Sequence, residues 1–408
     1  MKLNHFLKRA LFLLPVLCFG LVLIGNADAA KTLKIGGTMP LNTGMGTEAK
    51  KSWELYVDHI NKSGGMTVKG EKYQLKLIIY DDKYTADGGK AGVERLVYRD
   101  NCKYIVGMIG SAPTYAAVSV TEQAKALLIS GCATDKILQP KFKYTVRIGN
   151  LPSVTVARWE YFIKKFPQAN TYAMFAPDDE SGRFGVKIFT MILGKYNKKL
   201  IDTALFPRGT TDFSSIATRI KTANPDFVIF PASRGETDFG LQLKALYEAG
   251  YRGIKVAEMF NTDVIKKVAT NEHIEGVMAP VNQSDLQGNR RNKSSYLMEK
   301  LYKEKYGSFN TSGPIWVKGL NGFLAAVKKA DSLKVDDILA AFNRLEFEHP
   351  EGKALMVRRA DLGLDRYCDT VLSMEFGIVK NGKVVHDESI STSQVIKACE
   401  TVFGGTWK

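Results

Sequence analysis

Two hydroxyl side chains stand where an apolar stretch of the chain ends: Ser111 and Thr114 follow the run 104–109. The run is typical of a strand, and residues 114–126 are typical of a helix. The first N–H groups of a helix have no partner within it, so hydroxyls at such a junction can join them in binding an anion. We therefore predict an anion-binding loop here. The alternative is that Ser111 or Thr114 only caps its own helix.

The same arrangement, an apolar run followed by small or polar residues, recurs along the chain. Helical stretches of about ten to fifteen residues separate the runs, which indicates βαβ units and parallel sheets. Ligands of such sheets bind beyond the carboxyl ends of the strands. That rule brings together five loops: residues 44–46, 110–114, 132–135, 178–185 and 232–236. There are too many runs for one small sheet, so we predict an α/β protein with two lobes in close contact.

Residues 1–29 have the features of a secretory signal peptide. Three basic residues among the first nine precede the apolar segment 10–24, and Ala27-Asp28-Ala29 is a typical cleavage site. The apolar segment is shorter than the roughly 20 residues of a membrane span. We predict export to the periplasm without a further membrane span; an uncleaved N-terminal anchor is the alternative.

The formal net charge of the whole chain is +15, from 57 Lys and Arg and 42 Asp and Glu. Removal of residues 1–29 takes away three basic residues and one acidic residue, which leaves +13. The basic residues are scattered along the chain and form no run of five or more. We therefore predict a soluble protein that does not bind nucleic acid.

Four cysteines follow the signal segment: Cys102, Cys132, Cys368 and Cys399. Export permits disulfides, and Cys368 and Cys399, which flank the C-terminal strand segment, could pair. Cys102 and Cys132 are expected at opposite ends of neighbouring parallel strands, which argues against that pair. No C-x-x-C motif occurs and the histidines are dispersed, so we predict no metal site and no cofactor.

With these loops identified, the chain resembles the periplasmic branched-chain-amino-acid-binding proteins of ABC importers, over about residues 31–385. The segments that carry the resemblance are, in order, LKIGGTMPLNTGMG, NKSGG followed by a strand ending in YDD, GMIGSAPT, LLISGCATD, DDESGRFG and TDFSSIATRIKTANPDFVIF. No single segment is decisive, and it is their order and spacing that make the resemblance specific.

The resemblance implies a type I periplasmic binding fold, in which two Rossmann-like lobes with parallel sheets are joined by a three-crossover hinge. Lobe 1 is expected at residues 30–148 together with 280–360, and lobe 2 at residues 149–279 together with 361–408. The family implies a monomeric carrier that closes on a small ligand and delivers it to an ABC permease in the inner membrane. It implies no catalysis.

The resemblance also implies roles for several residues. The loop at Ser111 and Thr114, with help from Ala133 and Thr134, is expected to hold the α-carboxylate of an amino acid. The Ala133 carbonyl and Glu258 are expected to accept hydrogen bonds from the ammonium group. Glu258 could instead be an exposed loop glutamate.

Large side chains at two family positions are expected to form the walls of the cleft. Met45 corresponds to an apolar residue of lobe 1 and Phe184 to an aromatic of lobe 2, although each could simply pack within its own lobe. Arg234 departs from the family, which often has an aromatic there. If Arg234 or the nearby Arg183 faces the cleft, the ligand carries a second anionic group; otherwise both arginines are solvated or paired within the protein.

Other functions remain open at this point. The same fold could serve as an extracytoplasmic sensor for a separate receptor, and related carriers take aromatic acids or amides and urea. An enzyme is disfavoured because the chain has no G-x-x-x-x-G-K-[ST], G-x-S-x-G or H-E-x-x-H motif, and the glycines of residues 36–46 do not keep G-x-G-x-x-G spacing.

Overall fold

The structure is a computed structural model that describes residues 30–149, 151–233, 237–281, 286, 291–309 and 313–407. The predicted signal peptide and the candidate residue Arg234 lie outside these ranges. Within the described ranges, every helix is too short or too polar to cross a lipid bilayer.

Lobe 1 is built on a six-stranded sheet with the order β2-β3-β1-β4-β5-β6, in which only β2 and β3 pair antiparallel. Its strands are β1 (Lys31–Met39), β2 (Met66–Val68), β3 (Glu71–Asp81), β4 (Tyr104–Met108), β5 (Leu127–Ser130) and β6 (Thr145–Arg147). The helices that follow these strands are α1 (Gly44–Lys62), α2 (Ala86–Glu94) and α3 (Ser111–Ala124). A π-helical turn, Arg95–Arg99, extends α2.

Lobe 2 is built on a seven-stranded sheet with the order β16-β15-β11-β10-β9-β7-β8. The parallel strands are β7 (Thr171–Pro177), β8 (Lys199–Phe206), β9 (Phe227–Ile229), β10 (Ile254–Val256) and β11 (Met278–Pro280). The helix α4 (Leu151–Lys165) precedes β7, and the helices between the strands are α5 (Glu180–Lys195), α6 (Ser214–Ala223), α7 (Thr237–Glu248), α8 (Thr262–Ile265) and α9 (Asn271–Ile274).

The chain then adds three helices, a small third sheet and a C-terminal hairpin. The helices are α10 (Lys293–Tyr306), α11 (Lys318–Ala330) and α12 (Val335–Ala341). The third sheet is an antiparallel meander of β12 (Glu346–His349), β13 (Gly352–Arg359) and β14 (Leu364–Leu372). Two antiparallel strands, β15 (Met374–Lys380) and β16 (Lys383–Ile390), complete the lobe 2 sheet before α13 (Thr392–Phe403).

Three stretches of chain connect the lobes, which confirms the predicted fold class. They lead from β6 to α4, from β11 to α10, and from β14 to β15. The predicted lobe boundary after residue 360 falls inside the three-stranded meander, which was not anticipated from the sequence. Asn-Gly is a typical hairpin-turn dipeptide, and the sequence predicts a hairpin around Asn381-Gly382. The tight turn is present, and both residues adopt positive φ, at 52° and 72°.

The four described cysteines are free and buried, so the pairing of Cys368 with Cys399, which the sequence left open, is not formed. The two side chains belong to different clusters of the core: Cys368 packs with Cys102 and Cys132 in lobe 1, whereas Cys399 lies on α13. The Cys399 thiol donates to the Ser153 carbonyl of α4 at 3.8 Å.

A glycine lets α1 approach the centre of the lobe 1 sheet. Gly107 in β4 has φ of +92°, and a Cβ there would lie 2.0 Å from Cζ2 of Trp53. The Trp53 side chain is fully buried, and its Nε1 donates to the Trp316 carbonyl at 3.0 Å. Because burial and this hydrogen bond fix the indole, even a methyl group at position 107 would overlap with it.

Gly107→Ala is expected to lower the free energy of unfolding by about 2–5 kcal/mol, since the strain of positive φ adds to overpacking against Trp53. Gly209→Ala is the matched control, because Gly209 has φ of +89° but no atom within 4 Å of the added methyl. The control should lose only about 1–2 kcal/mol. Urea denaturation measures both, and equal losses would contradict the packing argument.

Candidate functional site

A cavity lies between the lobes, at the carboxyl ends of the parallel strands. Its empty volume is about 270 Å³, including the open mouth. Lobe 1 contributes one lining residue from the loop after β5, and lobe 2 contributes the rest. The lining residues are Ala133, Thr155, Ser181, Phe184, Gly185, Ile188, Ala232 and Glu258.

Ser111 is the first residue of α3 and lies at the contact between the lobes. No side chain caps this helix, because its N-cap residue is Gly110. The buried Ser111 hydroxyl accepts hydrogen bonds from the Thr134 backbone N–H at 3.3 Å and from the Ser181 hydroxyl at 3.2 Å. Both bonds use lone pairs of the oxygen, so the Ser111 proton is still available to donate to a ligand.

Thr114 lies one turn further along α3 and is fully buried. Its hydroxyl donates to the Gly110 carbonyl at 2.6 Å and contacts the Ser130 hydroxyl at 3.0 Å. The structure therefore places Thr114 behind Ser111, where it joins the start of α3 to β5. The residues that line the cavity include neither Thr114 nor Ser111, and Ser111 reaches the lining through its contact with Ser181.

Thr134 takes part in direct contacts between the lobes. Its hydroxyl donates to Oε1 of Glu180 on α5 at 3.2 Å, and Lys136 Nζ lies 3.0 Å from the same oxygen. Tyr84 of lobe 1 contacts the Ser181 hydroxyl at 3.4 Å, and the Arg208 guanidinium lies 5.6 Å from the Tyr84 ring centroid. The lobes are thus held closed around the cavity.

The Ala133 carbonyl, predicted to accept from an ammonium group, already has a partner. Arg147 Nη1 donates to it at 2.8 Å. A carbonyl oxygen has two lone pairs, so one acceptor position remains. The guanidinium nevertheless makes this carbonyl a weaker acceptor for a second cation.

Glu258 follows β10 and is the carboxylate of the cavity. It is only 5% exposed, so it is not an exposed loop residue. Its Oε2 accepts from the Ala232 N–H at 2.8 Å, and its Oε1 from the Thr155 hydroxyl at 3.4 Å. Ala232 adopts φ of +59°, an unusual conformation for alanine that is often found at functional sites.

Burial raises the pKa of Glu258, and the charge of nearby Arg158 partly opposes that shift. Arg158 is itself buried: its Nη1 donates to the Ala257 carbonyl at 3.3 Å, and its Nε has no partner. Burial lowers the pKa of Arg158 to about 10, although the Glu258 carboxylate acts in the opposite direction. Lobe 2 therefore places one carboxylate in the cavity lining, and the guanidinium of Arg158 is buried near it without an ion pair between the two.

Apolar residues of α5 form the rest of the lobe 2 wall. Phe184 and Ile188 are one helical turn apart and both line the cavity. Met45 instead lies on α1 in the lobe 1 core, and the cavity lining does not include it. Arg183 is largely exposed and its Nε pairs with Asp178 at 2.8 Å.

Several residues of the site were missed by sequence reasoning. Ile188 had a signal, since it follows Phe184 at helical spacing. Ser181 had a weaker one, since it stands in the quoted segment DDESGRFG. Thr155 and Arg158 had none, because nothing in α4 marks its cleft-facing side before the tertiary structure is known. In the part of the chain that the structure describes, no group of His, Cys, Asp and Glu is arranged to hold a metal ion.

The family model described as periplasmic binding protein matches residues 32–363, and the chain belongs to this family of binding proteins. The predicted family is thereby confirmed. A Leu/Ile/Val-binding protein homolog 3 from Brucella melitensis is 26% identical over 243 residues. That match covers 57% of this chain and 62% of the relative, so it spans less than two thirds of the relative's length.

Two solved structures show the same fold. One is the substrate-binding protein LivJ from Streptococcus pneumoniae in complex with isoleucine, with a TM-score of 0.70 and 20% identity, over 88% of this chain and 99% of that one. The other is a solute-binding protein from Rhodopseudomonas palustris in complex with 3,4-dihydroxybenzoic acid, with a TM-score of 0.71 and 19% identity, over 88% and 98%.

The raised pKa of Glu258 predicts a pH dependence of stability. A carboxyl group with a raised pKa in the folded state binds its proton more tightly there than in the unfolded chain. Proton binding by Glu258 therefore stabilises the folded state. This contribution is complete below the pKa of the residue in the unfolded chain, about 4.3, and is lost as the pH rises through its pKa in the folded protein. Glu258→Gln should remove this loss.

Chemical denaturation at half-unit steps from pH 4 upward measures the effect. The wild-type free energy of unfolding should fall relative to that of Glu258→Gln as the pH rises. Glu304→Gln is the control, because Glu304 is an exposed residue of α10 whose Oε1 is 3.8 Å from Lys300. Parallel profiles for wild type and Glu258→Gln would contradict the assignment.

Proposed function

We propose that the protein is the substrate-binding component of an ABC importer, which binds a small carboxylate in the cleft and delivers it to a membrane permease. The preferred ligand is an amino acid, branched-chain or related. The observation that carries the proposal is the polarity of the site, which combines uncharged hydrogen-bond donors from lobe 1, the buried Glu258 carboxylate, and the apolar side chains of Phe184 and Ile188. Membership of the periplasmic binding protein family supports it, as does the likeness to a Leu/Ile/Val-binding protein homolog.

The ligand carboxylate would bind at the start of α3. The free proton of Ser111 and the uncapped N–H groups of the first turn can hold an anion without an arginine. Thr134 would support this loop through its N–H bond to Ser111 and, across the cleft, through its contact with Glu180. Phe184 would contact the ligand side chain. Met45 and Thr114 do not line the cavity and would support the residues that contact the ligand.

The ammonium group would bind at Glu258. Each carboxylate oxygen accepts one hydrogen bond from the protein and has a lone pair left for the ligand. The remaining lone pair of the Ala133 carbonyl would be the second acceptor. An ammonium placed here would favour ionised Glu258 and lower its raised pKa.

A second candidate ligand is an aromatic carboxylate without an ammonium group. The observation that favours it is the bond from Arg147 to the Ala133 carbonyl, which weakens one of the two predicted ammonium acceptors. The cavity walls at Phe184 and Ile188 suit a ring as well as an aliphatic chain.

We further propose that the chain is exported through the signal segment 1–29 and acts in the periplasm as a monomer. Its partners would be the ligand and the permease, without nucleic acid, cofactor or catalysis. The scattered basic residues and the family membership support these assignments.

The proposal is tested by thermal shift and calorimetry on ligand-free, refolded protein with four matched probes: L-leucine, leucinamide, 4-methylpentanoate and benzoate. A ligand at 100 times its Kd should add about 2.7 kcal/mol of stability. L-Leucine should bind, and leucinamide, which lacks the carboxylate, should not. Binding of benzoate in preference to L-leucine would select the second candidate. Equal binding of leucinamide and L-leucine, or no binding of any probe, would contradict the proposal.

Ser111→Ala should weaken binding of the best carboxylate probe by about 1–2 kcal/mol, because a hydrogen bond to a charged group is lost. Calorimetry measures the change in Kd. Ser119→Ala on the exposed face of α3 is the matched control and should bind as the wild type does. An unchanged Kd for Ser111→Ala would contradict a hydrogen bond from Ser111 to the ligand and would leave Ser111 with a structural role only.

A further inference from the structure

A cluster of buried charges lies directly behind the cavity. Two of its members are guanidinium groups with no solvent exposure, and three are carboxylates from different parts of the chain. The members are Arg147, Arg359, Asp135, Asp361 and Asp369. None of them lines the cavity.

Arg147, the last residue of β6, holds the loop after β5 at two points. Its Nη1 donates to the Ala133 carbonyl at 2.8 Å, and its Nη2 lies 2.8 Å from Oδ1 of Asp135. Its Nε donates to Oδ1 of Asp369 on β14 at 2.9 Å, and its Nη2 also pairs with that carboxylate. The residues on both sides of Thr134 are thus attached to one side chain.

Arg359, the last residue of β13, completes the cluster. It binds both oxygens of Asp135, at 2.9 and 3.1 Å, and one oxygen of Asp369 at 2.9 Å. It also binds both oxygens of Asp361, at 2.8 and 2.9 Å. Burial acts to raise the pKa of Asp135, but the two guanidinium groups hold it below its ordinary value.

The C-terminal segment covers this cluster with two aromatic rings. The Arg359 guanidinium lies 4.6 Å from the ring centroid of Trp407 and 5.5 Å from that of Phe403. The two rings stack with centroids 5.5 Å apart, and Trp407 is fully buried. Desolvated contacts of this kind between a cation and a ring are attractive, and the ring also excludes water from the charges.

We propose that Arg147, Arg359 and Trp407 are positioning residues for the loop 133–135, so that the C-terminal end of the chain controls ligand affinity without reaching the cavity. The reason is geometric: the N–H of Thr134 can hold the Ser111 hydroxyl, and the carbonyl of Ala133 can face the cavity, only while their neighbours are fixed. The part concerning affinity rests on the proposed function, whereas the part concerning the loop does not.

The test compares two substitutions at one position. Trp407→Phe keeps an aromatic face over Arg359, whereas Trp407→Leu keeps only apolar bulk. Trp407→Leu should weaken binding of L-leucine or benzoate, whichever the wild type binds, by about tenfold, and Trp407→Phe should stay within about threefold. Amide hydrogen exchange of residues 131–136 should become faster in Trp407→Leu and remain near wild type in Trp407→Phe.

Ile338→Ala is the control for a general loss of stability. Ile338 is fully buried in α12, which packs on α11. It should lower Tm while leaving both Kd and exchange of residues 131–136 unchanged.

The proposal is overturned if exchange of residues 131–136 is the same in Trp407→Leu and wild type, or if Ile338→Ala has the same effects on exchange and Kd as Trp407→Leu. If the wild type binds neither probe, the proposed function fails, and the exchange comparison still decides whether the loop is positioned from the C-terminal end.

Discussion

The pairing of Arg147 with Asp369 joins parts of the chain that are 222 residues apart. The ion pair joins β6 to β14. The chain first leaves lobe 1 after β6, and after β14 it enters the hairpin of lobe 2. Next to this pair, Gly149 and Thr370 exchange two hydrogen bonds, at 2.7 and 3.2 Å. A buried charge that loses its partner destabilises a protein by about 3–5 kcal/mol, so these two connections must stay side by side. The connections between the lobes and the loop 133–135 therefore share one anchor.

The two lobes divide the chemistry of the cleft between them. Lobe 1 provides a helix start and neutral hydroxyls, which suit an anion, and lobe 2 provides a desolvated carboxylate and apolar side chains. The ligand that we propose, with a carboxylate, an apolar body and an ammonium group, would be complementary to both lobes only when they are closed. Such a ligand would stabilise the closed arrangement over an open one, which is the requirement for a conformational change driven by binding.

Most of the fold could be predicted from the sequence because its signals are local. Apolar runs separated by helical stretches revealed the parallel strands, and Asn381-Gly382 revealed the hairpin turn. The ends of those strands revealed the loops at Ser111 and Ala133, and segment order placed Glu258 after its strand. These positions depend on residues close together in the chain, so a single sequence is sufficient to locate them.

The parts that could not be predicted depend on contacts between distant residues. The sequence around Arg147 and Asp369 does not indicate that the two side chains meet, and the same is true of Arg359 and Trp407. In the three-stranded meander at residues 346–372, β12 is only four residues long, and β13 and β14 do not keep a strict alternation of buried and exposed residues. Thr114 was placed with Ser111 because both follow the same strand, but one helical turn was enough to direct its hydroxyl into lobe 1.

The central claim is that the start of α3 holds the carboxylate of the ligand. A crystal structure of the protein with L-leucine or benzoate, whichever binds more tightly, tests it directly. We expect the ligand carboxylate within hydrogen-bonding distance of the Ser111 hydroxyl and of the first N–H groups of α3. A ligand bound in the cleft with its carboxylate directed elsewhere, and with Ser111 still bonded only to Thr134 and Ser181, would contradict the account.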